Sequence, residues 1–422
     1  MAKKWGIISL VVFGIYSIIM YLYIFHFNDG GIPESLKGTL ADPSTFMTER
    51  ELILSEEYSK IRNFLFFILT PFEWLMYFFI LISGTSFFFE KCSTISKWKV
   101  VHNTIYLFLL SILTFVIFLP IDYYRYTLSK GYGISTQDFS SWMKDNIISF
   151  WVNFIITVIV ISVLYWLIKK STRKWWLYAW LLTVPFSIFL MYVQPVIIDP
   201  LYNEFYPLKN KELEERILNL AEQANIPADH VFEVNMADKT NALNAYVTGV
   251  GDHSRIVLWD TTLNRLTEDE ILFIMGHEMG HYVEKHIYIG IVGYLLMMLV
   301  GLWLIAKIMP GIIRRFGSKL KIKSIEQIHS LPLLLLISSV LLFFSNPFYN
   351  TVSRYQEARA DEFAIELVQD PEAAISGFQK LAKAGLSEVN PPLLVKWFRY
   401  THPPMLERIN AIEEQLNDNG VN

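Results

Sequence analysis

Long apolar stretches alternate with short polar connections along this chain, and the rhythm predicts most of its architecture. Seven runs, at about 5–27, 64–89, 104–120, 147–168, 175–198, 286–309 and 331–350, have the character of bilayer-crossing helices. A hydrocarbon layer about 30 Å thick needs roughly 20 apolar residues in helical form. Pro71, Pro185 and Pro195 interrupt several runs, which spanning helices tolerate when neighbours re-satisfy the freed backbone groups. The first run follows Lys3 and Lys4. It is too long for the apolar part of a secretory signal and no small-x-small cleavage site follows Phe27, so a retained anchor is expected.

The pattern changes between the fifth and sixth runs. Lys211–Ala224 sets Leu213, Ile217, Leu220 and Ala221 at helical spacing. Val231–Met236, Ala242–Thr248 and Arg255–Trp259 read as strands, with Gly249, Gly251 and Asp252 supplying a turn between the last two. Thr267 and Glu270 make a capping box for a helix that runs towards the sixth apolar run. The seventh run is expected to end near Pro347, followed by a polar helical segment at about 351–369. Asp370-Pro371 opens a further helix, His402-Pro403-Pro404 opens the last one, and Asn417–Asn422 should fray. The expected fold is therefore a mainly α membrane protein: seven transmembrane helices with a small interleaved α+β module. Its expected divisions are a five-span domain over 1–198, a metallopeptidase-like domain over 199–415 that contains spans six and seven, and a frayed tail over 416–422.

Composition agrees with that picture. The 422 residues are 53% hydrophobic and only 18% charged, against about 25% charged in soluble domains. The abundant Phe, Tyr and Trp fit interfacial belts and lipid-facing packing. A net charge of −4, with no basic strip carrying interleaved aromatics, excludes a nucleic-acid partner. Cys92 is the single cysteine, which excludes an internal disulfide and any cysteine-based zinc cluster. Glu73 falls inside the second run, where an ionisable group faces protein or water.

Residues 277 to 281 read His-Glu-Met-Gly-His. On a helix the two imidazoles fall on one side and can grip one Zn²⁺, and Glu278 between them is placed to take a proton from a water at the metal. A catalytic zinc needs a third protein ligand. The seventh run returns to the side left by the sixth, which brings Glu357 and Asp361 beside His277 and His281, with Arg354 and Arg359 nearby. Glu357 is expected to be the third ligand and Asp361 to accept a hydrogen bond from a ligand imidazole; an exchange of roles between the two is the alternative. His253, His286 and His329 have no partner at ligand spacing and read as ordinary surface or boundary residues.

His277-Glu278-Met279-Gly280-His281, Glu357-Ala358-Arg359-Ala360-Asp361, Asn244-Ala245-Tyr246, and His402-Pro403-Pro404 through Arg408 occur in an order that resembles the type I CAAX prenyl protease family. These are integral-membrane zinc metallopeptidases with seven spans, so the likeness covers nearly the whole chain. It implies one Zn²⁺ on His277, His281 and Glu357, with Glu278 as general base. Asn244, Ala245 and Tyr246 would form an edge strand on which a polypeptide substrate pairs as an added strand. His402 and Arg408 would approach the scissile carbonyl or the chain beside it. A large water-filled chamber between the spans is implied as well.

The substrate would be a polypeptide, membrane-associated or C-terminally prenylated. In a eukaryote the likeness implies removal of a C-terminal tripeptide after a prenylated cysteine, in the endoplasmic reticulum membrane. In a bacterium it implies quality-control proteolysis in the cell membrane. A seven-span transporter or a substrate-binding scaffold with a structural metal is the reading from another class; the retained Glu278 and the lack of paired broken helices argue against it.

Orientation follows from the Lys and Arg distribution. Lys3 and Lys4, Lys91 to Lys99, Lys169 to Lys174 and Lys307 to Lys323 bound connections on one side. The N-terminus is thus expected in the cytoplasm and the peptidase module outside, the opposite of the sense implied by the eukaryotic members.

Overall fold

The third, fourth, sixth and seventh apolar runs each lie in a helix longer than the run itself, whereas the first and fifth extend past the end of theirs and the second is broken at Gly84. The computed structural model describes residues 2–27, 31–227, 230–248 and 255–420. Gly249, Gly251, Asp252 and His253 lie outside the described residues, as do Val421 and Asn422. The N-terminal half comprises α1 (Ala2–Phe25), a short α2 (Pro43–Phe46), α3 (Glu49–Ser83), α4 (Thr85–Ser93), α5 (Lys99–Gly131), α6 (Phe139–Lys170) and α7 (Trp175–Val193). Then come β1 (Phe205–Pro207), α8 (Lys211–Gln223), β2 (Val231–Val234), β3 (Ala245–Thr248), β4 (Arg255–Trp259), α9 (Asp260–Arg265), α10 (Glu268–Val283), α11 (His286–Leu320), α12 (Leu331–Val368), α13 (Pro371–Gly385), α14 (Leu393–Arg399) and α15 (Met405–Gly420). Among the described residues seven helices, α1, α3, α5, α6, α7, α11 and α12, are long and apolar enough to cross a membrane.

Three boundaries differ from expectation. The second run breaks at Gly84, whose φ of 80° needs a residue without Cβ, so α4 leaves the axis of α3. The seventh run does not stop at Pro347: α12 continues through it for 38 residues in all. Proline removes one backbone donor, but packing on both sides holds the helix, with Phe343 buried before the proline and Asn350 donating to the Trp397 carbonyl (2.9 Å) after it. At 1.5 Å per residue α12 is about 57 Å long, well beyond a hydrocarbon layer of about 30 Å. The membrane helix itself therefore carries the polar segment outward. The last helix likewise runs to Gly420, through positions expected to fray.

Buried side chains are unevenly spread along the bundle. Met76, Leu81, Tyr106, Tyr165, Trp175 and Met309 pack together where α3 and α6 end and α5 and α7 begin. On the other side, residues 111–125, 139–160, 176–201 and 287–304 include no buried position. Stretches of α5, α6, α7 and α11 towards the soluble module thus carry no buried side chain, while Met20, Ile24, Phe67 and Phe343 of α1, α3 and α12 pack with Val395 on that side. Glu73 sits between helices, its Oε2 accepting from Ser339 Oγ (2.8 Å), while Trp74 Nε1 donates to the same hydroxyl (3.0 Å). His329 is also buried, with Nδ1 2.5 Å from Glu90 Oε2 and Nε2 2.9 Å from the Lys321 carbonyl oxygen, so of the two expected settings, surface or boundary, the first does not apply.

The soluble module is built on a four-stranded sheet of order β1-β2-β4-β3. Strands β2 and β4 are parallel, and the outer strands β1 and β3 pair antiparallel to them. The three expected strands are present; β1, three residues ending in a proline, carried no readable alternation. Leu213, Ile217, Leu220 and Ala221 are all buried, as their spacing implied. Strand β3 lies at the edge of the sheet, its start anchored by Thr262, whose Oγ1 accepts from the Asn244 N–H (2.9 Å) and donates to the Asn244 carbonyl (2.7 Å).

Candidate metal centre

Helix α10 begins where sequence predicts, with Thr267 and Glu270 forming a reciprocal capping box. Its position on α12 is set by small residues at four-residue spacing. A Cβ at Gly280 would lie 3.1 Å from Ala360 Cα and 3.2 Å from the Ala360 carbonyl oxygen, and one at Gly276 would lie 3.5 Å from Ala364 Cα. Bare backbone therefore lets the two helices close, and the closure brings Glu357 to the two histidines.

His277 Nε2 and His281 Nε2 are 3.1 Å apart. Glu357 Oε2 lies 3.1 Å from His277 Nε2, and Oε1 lies 3.4 Å from His281 Nε2. Ligands at about 2.0–2.1 Å from a tetrahedral Zn²⁺ stand about 3.3 Å from one another, so these edges fit such an ion. Glu357 Oε2 is buried and has no hydrogen-bond partner among the described residues. A buried carboxylate oxygen left without a donor, facing two ring nitrogens, is what a cation site leaves when described without its ion. The donor set of two imidazoles and one carboxylate suits zinc.

The other face of each imidazole is already occupied. Asp361 Oδ1 is 2.7 Å from His277 Nδ1. Arg408 donates to the same carboxylate from Nε (2.8 Å, to Oδ2) and from Nη2 (2.5 Å, to Oδ1). An ionised carboxylate can only accept, so His277 Nδ1 carries the proton and its Nε2 is turned to the shared centre. Burial alone would push the His277 ring down, but Asp361 and then Glu357 outweigh it and hold the pKa up to about 9 before any cation is bound. Burial pushes the Glu278 carboxyl up, with the two histidines pulling the other way.

His286 was expected to be an ordinary surface or boundary residue without a partner, and it has one. It is buried, and its Nδ1 lies 2.9 Å from His281 Nδ1. Lys285, with φ of 59°, makes the turn that folds α11 back and aims His286 at α10. Lysine does not advertise a left-handed turn, so sequence offered no signal. Glu284 lies 3.6 Å from His286 Nε2 and accepts from Arg359 Nη2 (2.6 Å). Arg359 is thereby spent on Glu284 and Glu362, and Arg354 donates to the carbonyls of Lys396 and Tyr400 (3.0 and 2.8 Å). Neither arginine neutralises Glu357.

Arg354 also ties α12 to the segment that presents His402. His402 Nε2 stands 3.3 Å from Glu357 Oε2, and Thr401 Oγ1 is 2.9 Å from its Nδ1. A cavity of about 400 Å³ lies over the cluster, lined by Asn244, Ala245, His277, Glu278, His402 and Arg408 among others. Tyr246 is one strand position beyond this lining. Arg408 is committed to Asp361 and stacks over the Phe378 ring at 4.1 Å, behind His277.

Comparison with known proteins adds a family to this geometry. The profile of Peptidase family M48 matches residues 207–416, and that of the CAAX prenyl protease N-terminal region, five membrane helices, matches 23–204. The chain is 53% identical to the "Uncharacterized metalloprotease YhfN" of Bacillus subtilis over 98% of both chains. It is 28% identical to a "CAAX prenyl protease 1 homolog" of Arabidopsis thaliana, covering 70% of this chain and 69% of that one. The crystal structure of S. mikatae Ste24p shares the fold, with a TM-score of 0.78, 24% identity and coverage of 96% and 97%.

Proposed function

Because this chain belongs to peptidase family M48 and is an integral-membrane metalloendopeptidase, we propose that it holds one Zn²⁺ per chain on His277, His281 and Glu357 and hydrolyses membrane-associated polypeptides. The observation that carries the zinc reading is the convergence of two ring nitrogens, 3.1 Å apart, with the Glu357 carboxylate, one oxygen of which lies 3.1 Å from His277 Nε2 and the other 3.4 Å from His281 Nε2, while His277 Nδ1 is bonded away to Asp361. Zinc bound there would supply Lewis acidity, polarising the scissile carbonyl and lowering the pKa of water to about 7.

The protein's own groups do the rest. Glu278 takes a proton from the attacking water and returns it to the amide nitrogen as the C–N bond breaks, leaving a carboxylic acid and an amine. Its raised pKa suits a group that must both accept and donate near neutral pH. His402, with Nε2 turned towards the cluster, donates to the oxygen that gains charge when water adds. Asp361 and Arg408 keep the His277 proton on Nδ1, and His286 does the corresponding work for His281. The free edge of β3, entered at Asn244 and Ala245, pairs with the substrate backbone.

The test is metal content and peptide hydrolysis of detergent-purified protein beside Glu278→Gln. About one zinc in each with turnover in the wild type alone supports the assignment; absence of zinc from both would overturn it. Comparing prenylated with unprenylated peptides decides between a prenyl-dependent processing protease and a general membrane protease.

A further inference from the structure

At the closely packed end of the bundle, away from the metal centre, lies a second cavity of about 390 Å³, a volume in the range of small-ligand sites. Three lysines line it, each from a different part of the chain: Lys99 at the start of α5, Lys169 at the end of α6 and Lys323 between α11 and α12. All three are exposed, and among the described residues none has a carboxylate at ion-pair distance. Neighbouring lysines are engaged on rings instead. Lys170 lies over Trp166 at 4.8 Å, and Lys91 and Lys321 lie over Phe87 at 4.9 and 5.4 Å.

Two acids line the same cavity, Glu90 and Glu326. Glu90 is spent on His329. The Lys321 carbonyl oxygen, 2.9 Å from His329 Nε2, only accepts, so Nε2 carries a hydrogen. Glu90 Oε2 stands 2.5 Å from Nδ1, where two bare lone pairs would repel, so a second proton lies on one of those atoms. In either arrangement the pair has no net charge. Glu326 is then the one carboxylate facing three lysines.

Two further features favour an anion. His102 lines the cavity, and its Nε2 is buried with no hydrogen-bond partner among the described residues. A buried ring nitrogen in that state calls for a partner. Helix α5 opens on Trp98, which gives no side-chain cap, so the first N–H groups of this 33-residue helix stay uncapped beside Lys99.

The flank of the cleft is apolar. Ile95, Trp98 and Val100 are exposed around Lys99, and exposed Trp166 lies one turn before Lys169. Tryptophan beside lysine at the end of a spanning helix marks the headgroup level of a bilayer. We infer that the cleft binds an anionic phospholipid, with Lys99, Lys169 and Lys323 holding the headgroup phosphate and His102 Nε2 donating to one of its oxygens. Basic pockets between spanning helices suit such headgroups. A free phosphate would use the same cations and leave the apolar flank unused. The site is separate from the metal centre, and the inference does not rest on the peptidase reading.

The experiment is native mass spectrometry of the delipidated full chain in detergent, titrated with dioctanoyl phosphatidylglycerol, dioctanoyl phosphatidylcholine or inorganic phosphate. Phosphatidylglycerol should bind at least about tenfold tighter than phosphatidylcholine, and Lys169→Gln and Lys323→Gln should each weaken it about fivefold, the effect of one basic side chain beside an anionic lipid. His102→Phe keeps a ring without a donor and should weaken it by about tenfold, as for a lost hydrogen bond to a charged group. None of these changes should alter phosphatidylcholine binding. Lys3→Gln and Lys174→Gln remove equal charge outside the cleft and should leave the preference intact. Thermal melting without lipid checks that each variant is folded.

Equal binding of the two lipids by the parent protein would overturn the inference. So would a loss of preference in the Lys3→Gln and Lys174→Gln proteins as large as in the cleft variants, because overall charge would then explain it. Inorganic phosphate that displaces phosphatidylglycerol at equal concentration would overturn the choice of a lipid over a soluble anion.

Discussion

Asp361 serves two neighbours at once, accepting from His277 Nδ1 and holding the buried Arg408. Asp361→Asn should therefore weaken zinc binding about 10–100-fold and also destabilise the protein by about 3–5 kcal/mol, because Arg408 is left buried without its counter-ion. His286→Ala isolates the first effect. It should lower zinc affinity by about 10–100-fold with little loss of thermal stability, as read by competition against a chelator; unchanged affinity would remove His286 from the site. Glu388 gives a pH signature. Burial raises its pKa to about 7, so the folded state keeps a proton that the unfolded chain has lost. The stabilisation is complete below the unfolded value near 4.5 and is lost as pH rises through 7, at most about 3 kcal/mol. Glu388→Gln should flatten the fall in Tm between pH 5 and 8, and an unchanged slope would show that another group controls it.

The element that matters most is the α10–α12 pair. Gly276 and Gly280 against Ala360 and Ala364 allow contact that a single Cβ would disturb. Gly280→Val should overpack the seam by about 1–3 kcal/mol and displace Glu357 from the histidines. Zinc content should fall while helix content by circular dichroism stays near wild type; full zinc occupancy would show that the seam does not control the site. Ala360 in Glu357-Ala358-Arg359-Ala360-Asp361 and Gly280 in His277-Glu278-Met279-Gly280-His281 could be read as motif members in the sequence. Their work as a helix–helix seam could not, because it depends on which faces meet. The same limit hid β1, α14 and the turn at Lys285, whose local signals are weak and whose conformations are imposed by their neighbours.

For the whole molecule, the bundle has a closely packed end away from the soluble module. Lys99, Lys169 and Lys323 line one cleft at the packed end, and Lys3 and Lys4 begin α1, whose Gly6 abuts Phe79 near the same end of α3. We propose on that basis that this end faces the cytoplasm and the peptidase module lies outside. A tag after Asn422 should then be cleaved by protease added to intact cells; protection until the membrane is opened would reverse the assignment.

Hydropathy along the chain was enough to determine seven spans, because a bilayer demands about 20 apolar residues per helix regardless of tertiary context. The H-E-x-x-H spacing was enough to put two imidazoles on one helical face, because 3.6 residues per turn leaves no other choice. Glu357 came within reach by topology alone. Only tertiary structure decided that it, and not Asp361, meets the histidines. The reason lies in the close seam at Gly280 and Ala360, together with the grip of Arg408 that turns Asp361 to the far side of His277. His286 and the cleft of Lys99, Lys169 and Lys323 belong to that second category too, since each owes its surroundings to chain segments distant in sequence.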